Sequence, residues 1–80
     1  MTPQEAYKLF QKKHSGLTVT ECINYGKYYV FVAVEDPEKV DISDPYYAVD
    51  KKTGEVGYFS PAEDIERWVA ACVNSGVDWK

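Results

Sequence analysis

The spacing of apolar residues is helical at the start of the chain, strand-like in the middle and helical again near the end. In residues 6–10 apolar side chains recur every three to four positions, which is typical of an amphipathic helix. The preceding Thr-Pro-Gln-Glu, residues 2–5, combines an N-cap, a proline suited to the first turn and a capping-box glutamate. Ser15-Gly16 ends the pattern. We therefore expect a helix over residues 3–14.

Two strand-like stretches follow this helix. Residues 17–24 alternate, which places Leu17, Val19 and Ile23 on one face. Residues 28–35 are apolar on both faces, which is typical of a central strand with cover on both sides. The Asn-Tyr-Gly-Lys sequence between them favours a tight turn, because its glycine tolerates positive φ.

The second half of the chain contains a hairpin that leads into a helix. Residues 46–50 and 56–59 have strand-like patterns and flank a turn in which Gly54 suits a left-handed position. A Ser-Pro-Ala-Glu sequence at residues 60–63 repeats the helix-start signal of the N-terminus. The apolar residues of the following helix fall at i, i+3, i+4, i+7 and i+8, and we expect them to face the core. They are Ile65, Trp68, Val69, Cys72 and Val73.

This order of elements predicts one α+β domain over residues 1–80, because a chain of 80 residues has room for one core. Short connections make successive strands antiparallel neighbours. The expected architecture is a four-stranded antiparallel meander sheet, α-β-β-β-β-α, with the N- and C-terminal helices on one face. The opposite face is then expected to carry a Tyr-rich, partly exposed set of side chains.

Charge and hydropathy exclude several classes of function. A net charge of −4 argues against a general binder of nucleic-acid backbones, which normally carries a basic face. No apolar run approaches the roughly 20 residues that a membrane-spanning helix needs. The N-terminus lacks the basic and apolar regions of a secretory signal, so we expect a cytoplasmic protein.

The acidic loop, residues 35–44, is the stretch in which the sequence points most clearly to function. At about ten residues it is longer than the usual hairpin connection, and long loops often carry binding residues. Its acids favour a basic protein as the partner, although solvated surface is the alternative explanation. The predicted partner-binding residues are Glu35, Asp36, Glu38, Asp41, Asp44 and Tyr46.

No arrangement of residues predicts a catalytic, cofactor-binding or metal site. His14 is explained by its position at a helix end, and the carboxylates within residues 63–66 suit the first turns of a helix. The acids of the acidic loop lack the central glycine and the final glutamate of an EF-hand. Cys22 and Cys72 are expected to be buried, reduced thiols that form a disulfide only if both face the same layer.

Residues 45–56 have the sequence Pro-Tyr-Tyr-Ala-Val-Asp-Lys-Lys-Thr-Gly-Glu-Val and precede Ser60-Pro61 and a helix. This segment resembles the V-D-K-x-T-G-E-V hairpin of small bacterial immunity-type proteins described as YrhB-like. Those proteins also begin with a helix and place an aromatic strand before the hairpin. The resemblance implies a non-enzymatic binder that blocks a partner toxin, with no catalytic residues to carry over. The acidic loop and the chain length also fit phage-encoded and mobile-element proteins.

The sequence therefore favours a non-catalytic protein-binding module, such as an immunity or inhibitor protein, that is a monomer or a weak homo-oligomer. One alternative is a phage-related structural or assembly protein that self-associates through a sheet edge or the Tyr-rich face. Another is a small ligand-binding domain or enzyme, for which a single small core leaves little pocket volume.

Overall fold

The computed structural model describes residues 1–35 and 46–80. The strands form one antiparallel sheet in the order β1-β2-β3-β4. The predicted α+β class, the order of elements and the antiparallel meander are confirmed. The elements are α1 (Pro3–Lys13), β1 (Thr18–Tyr25), β2 (Tyr28–Val34), β3 (Tyr46–Asp50), β4 (Val56–Tyr58), a 3-10 turn (Pro61–Glu63) and α2 (Ile65–Asn74).

The two helices lie on opposite faces of the sheet, so the prediction of both helices on one face is wrong. Successive side chains of a strand point to opposite faces. Phe31 of β2 packs with Ala6 and Phe10 of α1, whereas its neighbour Val30 packs with Trp68 of α2. Because β2 is apolar on both faces, one helix on each side buries apolar surface that two helices on one side would leave in water. The expected open, Tyr-rich face is therefore not found among the described residues, because each face of the sheet carries a helix and tyrosines lie on both.

Helix α1 forms the better covered layer. Thr2 Oγ1 accepts a hydrogen bond from the Glu5 backbone N–H at 3.2 Å, as the capping-box signal predicts. Ala6 and Phe10 are fully buried against the sheet. The Phe10 ring stacks on Phe31 with 5.4 Å between ring centroids. Ala6 and Phe10 of the predicted apolar stripe therefore face the core, whereas Leu9 of the same stripe is 37% exposed.

A bulge in β1 reverses the predicted faces of that strand after Thr20. Val19 pairs with Ala33, but Glu21, rather than Thr20, pairs with the residue before Ala33 in β2. The extra residue shifts every later side chain to the other face. Ile23 therefore packs on the α2 side and does not share a face with Val19.

Helix α2 begins at Ile65, five residues after the predicted cap. Ser60 makes no side-chain capping hydrogen bond, and Pro61–Glu63 form a single 3-10 turn. Asp64 is the actual N-cap, since its Oδ1 accepts from the Arg67 backbone N–H at 3.2 Å. The sequence contains two capping signals in succession, and the helix uses the second one.

The chain beyond α2 covers the outer edge of β1. The Asn24 N–H donates to the Ser75 carbonyl and the Val77 N–H donates to the Cys22 carbonyl, both at 2.9 Å. The chain then continues to the α1 side, where Val77 and Trp79 pack against the core. This tail closes one of the two sheet edges, which otherwise expose unpaired backbone groups.

Candidate protein-binding surfaces

The structure places two of the six predicted partner-binding residues, and the two have different environments. Glu35 directly follows β2 and is exposed. Tyr46 is half-buried at the start of β3, with its ring 5.2 Å from that of Trp68. The other four lie outside the described residues and are Asp36, Glu38, Asp41 and Asp44.

Tyr46 belongs to an aromatic cluster on the α2 side, formed with Tyr25, Phe59 and Trp68. The ring centroids of contacting members are 5.2 to 5.6 Å apart, mostly in edge-to-face geometry. Such pairs contribute roughly 0.5–1.5 kcal/mol each beyond their buried area. The Arg67 guanidinium lies over the Tyr25 ring at 4.8 Å, which adds a cation–π contact. These packing contacts explain the position and the partial burial of the Tyr46 ring without a binding partner.

The most prominent apolar surface is the α2 ridge, formed by Ile65, Val69 and Val73. Their exposed fractions are 55%, 54% and 78%, so the prediction that they face the core is wrong. Each residue of a helix is rotated by about 100° from the one before it. Trp68 occupies the sheet-facing side, and the residue after it therefore points well away from the sheet.

The α2 ridge forms one continuous row, and negatively charged side chains lie near its N-terminal end. Its members are spaced at i, i+4 and i+8, and they line a shallow apolar hollow of about 480 Å³ together with Ala70. Single exposed apolar residues are ordinary, whereas a contiguous row is typical of an interaction surface. Exposed carboxylates lie at and just before the N-terminal end of the ridge, namely Glu63, Asp64 and Glu66.

A second concave surface, the edge groove, lies beside β4 on the same side of the sheet as α2. It has a volume of about 570 Å³, and Ala48, Gly57 and Phe59 are among its lining residues. Its carboxylates are Asp50, Glu55 and Glu63. No lysine or arginine of the described residues lines it.

Asp50 remains ionised because it caps the turn between β3 and β4. Its carboxylate accepts hydrogen bonds from the backbone N–H groups of Thr53 at 3.0 Å and Lys52 at 2.7 Å. These bonds, first that from Thr53, lower the pKa of the Asp50 carboxyl below its ordinary value. The edge groove therefore carries full negative charge at this end at neutral pH.

The two cysteines lie in different layers. Cys22 packs in the core on the α1 side and Cys72 against the core on the α2 side, so the condition for a disulfide fails. Burial raises the pKa of the Cys22 thiol to about 12. Burial also raises the pKa of the half-buried Cys72 thiol, and the Glu21 carboxylate adds to that effect. Both thiols are therefore protonated at neutral pH, where a protonated thiol is a poor nucleophile.

His14 is held by packing at the end of α1. Its backbone N–H donates to the Phe10 carbonyl at 2.8 Å. Its ring centroid lies 4.9 Å from that of Tyr47 and 5.3 Å from that of Phe10. Within residues 1–35 and 46–80, no three His, Cys, Asp or Glu side chains come together in a way that could hold a metal ion.

Comparison with protein-family models, curated proteins and solved structures gave no significant match. In the described part of the chain, neither helix has the length and apolar character that crossing a bilayer requires. The function is therefore argued from the shape and charge of the candidate surfaces. Two of these surfaces, the α2 ridge and the edge groove, were not predicted from the sequence.

Proposed function

We propose that this protein is a small protein-binding module that uses the α2 ridge as its contact surface. The observation that carries the proposal is the row of three half-exposed or largely exposed aliphatic side chains on one side of α2. Each square ångström of apolar surface removed from water contributes about 25 cal/mol. A partner that covers the ridge gains this term, and the domain loses no internal packing in exchange.

The charge pattern favours a partner with an apolar patch next to basic groups. Glu66 lies on the ridge hollow, and the chain as a whole has a net charge of −4. Complementary charge of this kind speeds association and selects among partners. A basic toxin that an immunity or inhibitor protein neutralises has this chemistry, and we retain that role as part of the proposal.

The test is a comparison between Val69→Asp and Ala62→Asp. Both variants add one carboxylate at an exposed position, but only Val69 belongs to the α2 ridge. Tagged wild type and both variants are used to capture partners from lysate, and each captured protein is then purified and titrated. We expect a basic protein to bind wild type and Ala62→Asp equally and Val69→Asp at least tenfold more weakly, with melting temperatures unchanged. Equal binding by all three would contradict a role for the ridge.

The acidic loop supplies a second arm of the same experiment. The triple variant Asp36→Lys, Glu38→Lys and Asp41→Lys reverses its charge without changing the ridge. If the loop steers the partner, the association rate falls severalfold while the dissociation rate changes little, because steering acts before contact. An unchanged association rate would make the loop ordinary solvated surface.

Self-association is the second candidate function, and the spacing of the α2 ridge favours it. Two copies of α2 in antiparallel contact about Val69 would place each Ile65 opposite Val73 of the other copy. Sedimentation velocity at several protein concentrations distinguishes this arrangement from binding to another protein. A dimer that Val69→Asp abolishes and Ala62→Asp preserves would favour self-association.

A further inference from the structure

The two edges of the sheet differ in their backbone hydrogen bonding. The tail after α2 pairs with the outer edge of β1. Among the described residues, no strand or tail pairs with the outer edge of β4. An open edge is a template onto which another extended chain can add by main-chain hydrogen bonds.

The register between β3 and β4 shows which backbone groups are open. Asp50 N–H donates to the Glu55 carbonyl at 2.9 Å, and Phe59 N–H donates to the Tyr46 carbonyl at 3.0 Å. Hydrogen-bonded and non-hydrogen-bonded pairs alternate along an antiparallel ladder, so Gly57 and Phe59 direct their N–H groups toward β3, whereas the Glu55 N–H donates to Thr53 Oγ1 at 3.2 Å. Val56 and Tyr58 therefore direct theirs outward.

The outward-directed backbone N–H and carbonyl groups of Val56 and Tyr58 are nearly all available to a ligand. The Lys13 ammonium donates to the Val56 carbonyl at 2.9 Å, and that oxygen has a second lone pair. The Val56 N–H and both backbone groups of Tyr58 make no hydrogen bond to any described residue. The Tyr58 side chain is 82% exposed, and it would cover one side of an added strand.

Gly57 opens the other side of the edge toward the edge groove. It lies between the two outward-directed residues, and a Cβ atom added there would meet no atom within 4 Å. A side chain of an added strand opposite Gly57 therefore has room to enter the groove. Asp50, Glu55 and Glu63 line that groove, so the side chain that fits is cationic.

We propose that β4 accepts an extended basic segment of another protein as a fifth strand, with alternate Lys or Arg side chains in the edge groove. A second copy of this chain is disfavoured as the occupant. Antiparallel pairing of β4 with its own copy about Gly57 would place two edge grooves, each lined by carboxylates, side by side on one face of the joined sheet. A basic segment matches the same carboxylates. This surface is separate from the α2 ridge, and Val69→Asp therefore distinguishes failure of one proposal from failure of the other.

The first experiment combines titration with amide hydrogen exchange on the full chain. The probes are two capped eight-residue peptides, one alternating Val and Lys and the other alternating Val and Glu. We expect the Val–Lys peptide to bind at least tenfold more tightly. We also expect it to slow exchange at the amides of Val56 and Tyr58, while the Gly57 amide is protected with or without peptide.

The second experiment uses matched charge variants. Glu55→Lys/Glu63→Lys should weaken the Val–Lys peptide at least tenfold, because both carboxylates line the groove. Glu21→Lys/Asp78→Lys makes the same charge change at exposed positions outside both the edge groove and the α2 ridge, and it should weaken binding less than threefold. Tyr58→Pro removes an outward N–H that β3 does not use, and it should also weaken binding if its spectrum remains native-like.

Three results would overturn the proposal. One is equal affinity for the two peptides, and another is binding that leaves exchange at Val56 and Tyr58 unchanged. The third is protection of those two amides that rises with protein concentration in the absence of peptide, which would assign the edge to a second copy of the chain.

Discussion

The two helices have similar sequence signals and different surroundings. Each has a Ser or Thr, a Pro and a Glu at the same spacing at or just before its first turn, and each carries apolar residues at helical intervals. Helix α1 buries Ala6 and Phe10 completely, whereas α2 buries Trp68 and exposes the α2 ridge. A helical apolar stripe therefore predicts an apolar surface on the helix, but not that the rest of the same chain covers it.

The difference comes from how much of the sheet each helix reaches. Helix α1 contacts β2, β3 and β4, whereas α2 chiefly contacts β1. The tail adds Val77 and Trp79 to the α1 side. Among the described residues, no segment adds similar side chains to the α2 side. The sheet surface next to β4 on that side is therefore left as the edge groove. The two candidate binding surfaces both belong to this less covered side.

The largest expected effect is the loss of the Phe10 side chain. Phe10→Ala removes a fully buried ring from the α1 layer and should lower the free energy of unfolding by about 3–5 kcal/mol. Val69→Ala, on the α2 ridge, should change it by less than about 0.5 kcal/mol. Urea denaturation of both variants checks the comparison. Similar losses in the two variants would mean that the ridge is covered in solution.

Removal of the tail should have the next largest effect. A chain that ends after Asn74 lacks the backbone partners of β1 and the half-buried side chains of Val77 and Trp79. We expect a loss of about 2–4 kcal/mol, since burial of one large apolar side chain contributes about 1.5–3 kcal/mol. Thermal unfolding of the truncated and full chains measures this loss. A stability equal to that of the full chain would show that α1 alone seals its layer.

The capping residues provide a smaller and more selective test. Thr2→Ala and Asp64→Ala each remove an observed N-cap hydrogen bond and should cost about 1 kcal/mol. Ser60→Ala should cost close to nothing, because Ser60 makes no capping bond. Chemical denaturation of the three variants separates them. A loss for Ser60→Ala as large as that for Asp64→Ala would mean that α2 begins at the first signal in solution.

Local signals predicted local structure well in this chain. The bounds of α1 and β3 follow from a capping box and from a short apolar run that leads into a turn, both of which depend on neighbouring residues only. The bulge at Thr20 has no such signal, because the apolar residues around it alternate acceptably without it. The apolar character of β2 on both faces does indicate cover on both sides. The sequence pattern of the two helices alone does not show whether they share a face of the sheet.

The candidate surfaces were harder to predict because exposure depends on distant parts of the chain. A tyrosine in a strand has the same local pattern whether it is exposed or packed, and Tyr46 packs on Trp68. The α2 ridge has the period of a core stripe, and only the position of the helix over the sheet decides that it is exposed. The open edge of β4 follows from strand order, which the meander did predict, but the edge groove needs the three-dimensional arrangement.

The smallest expected effect is a difference in the rate at which the cysteines of the two layers are chemically modified. Cys22 is almost fully buried on the α1 side and Cys72 is half-buried on the α2 side, so iodoacetamide at pH 8 should modify Cys72 first. Mass spectrometry of the time course gives the order. Modification of Cys22 at the same rate would mean that the α1 layer opens as readily as the α2 layer.

The pH dependence of the free energy of unfolding provides a second measurement on the Cys22 thiol. The pKa of Cys22 rises from an ordinary value of 9.0 to about 12 in the folded protein, because burial disfavours the thiolate. The folded state thus holds this proton more tightly than the unfolded state. The stability associated with it is present below pH 9 and is lost as the pH rises from 9 toward 12. Cys22→Ala should reduce this alkaline loss, whereas Cys72→Ala should reduce it less, because Cys72 lies in the layer that α2 leaves more open to water.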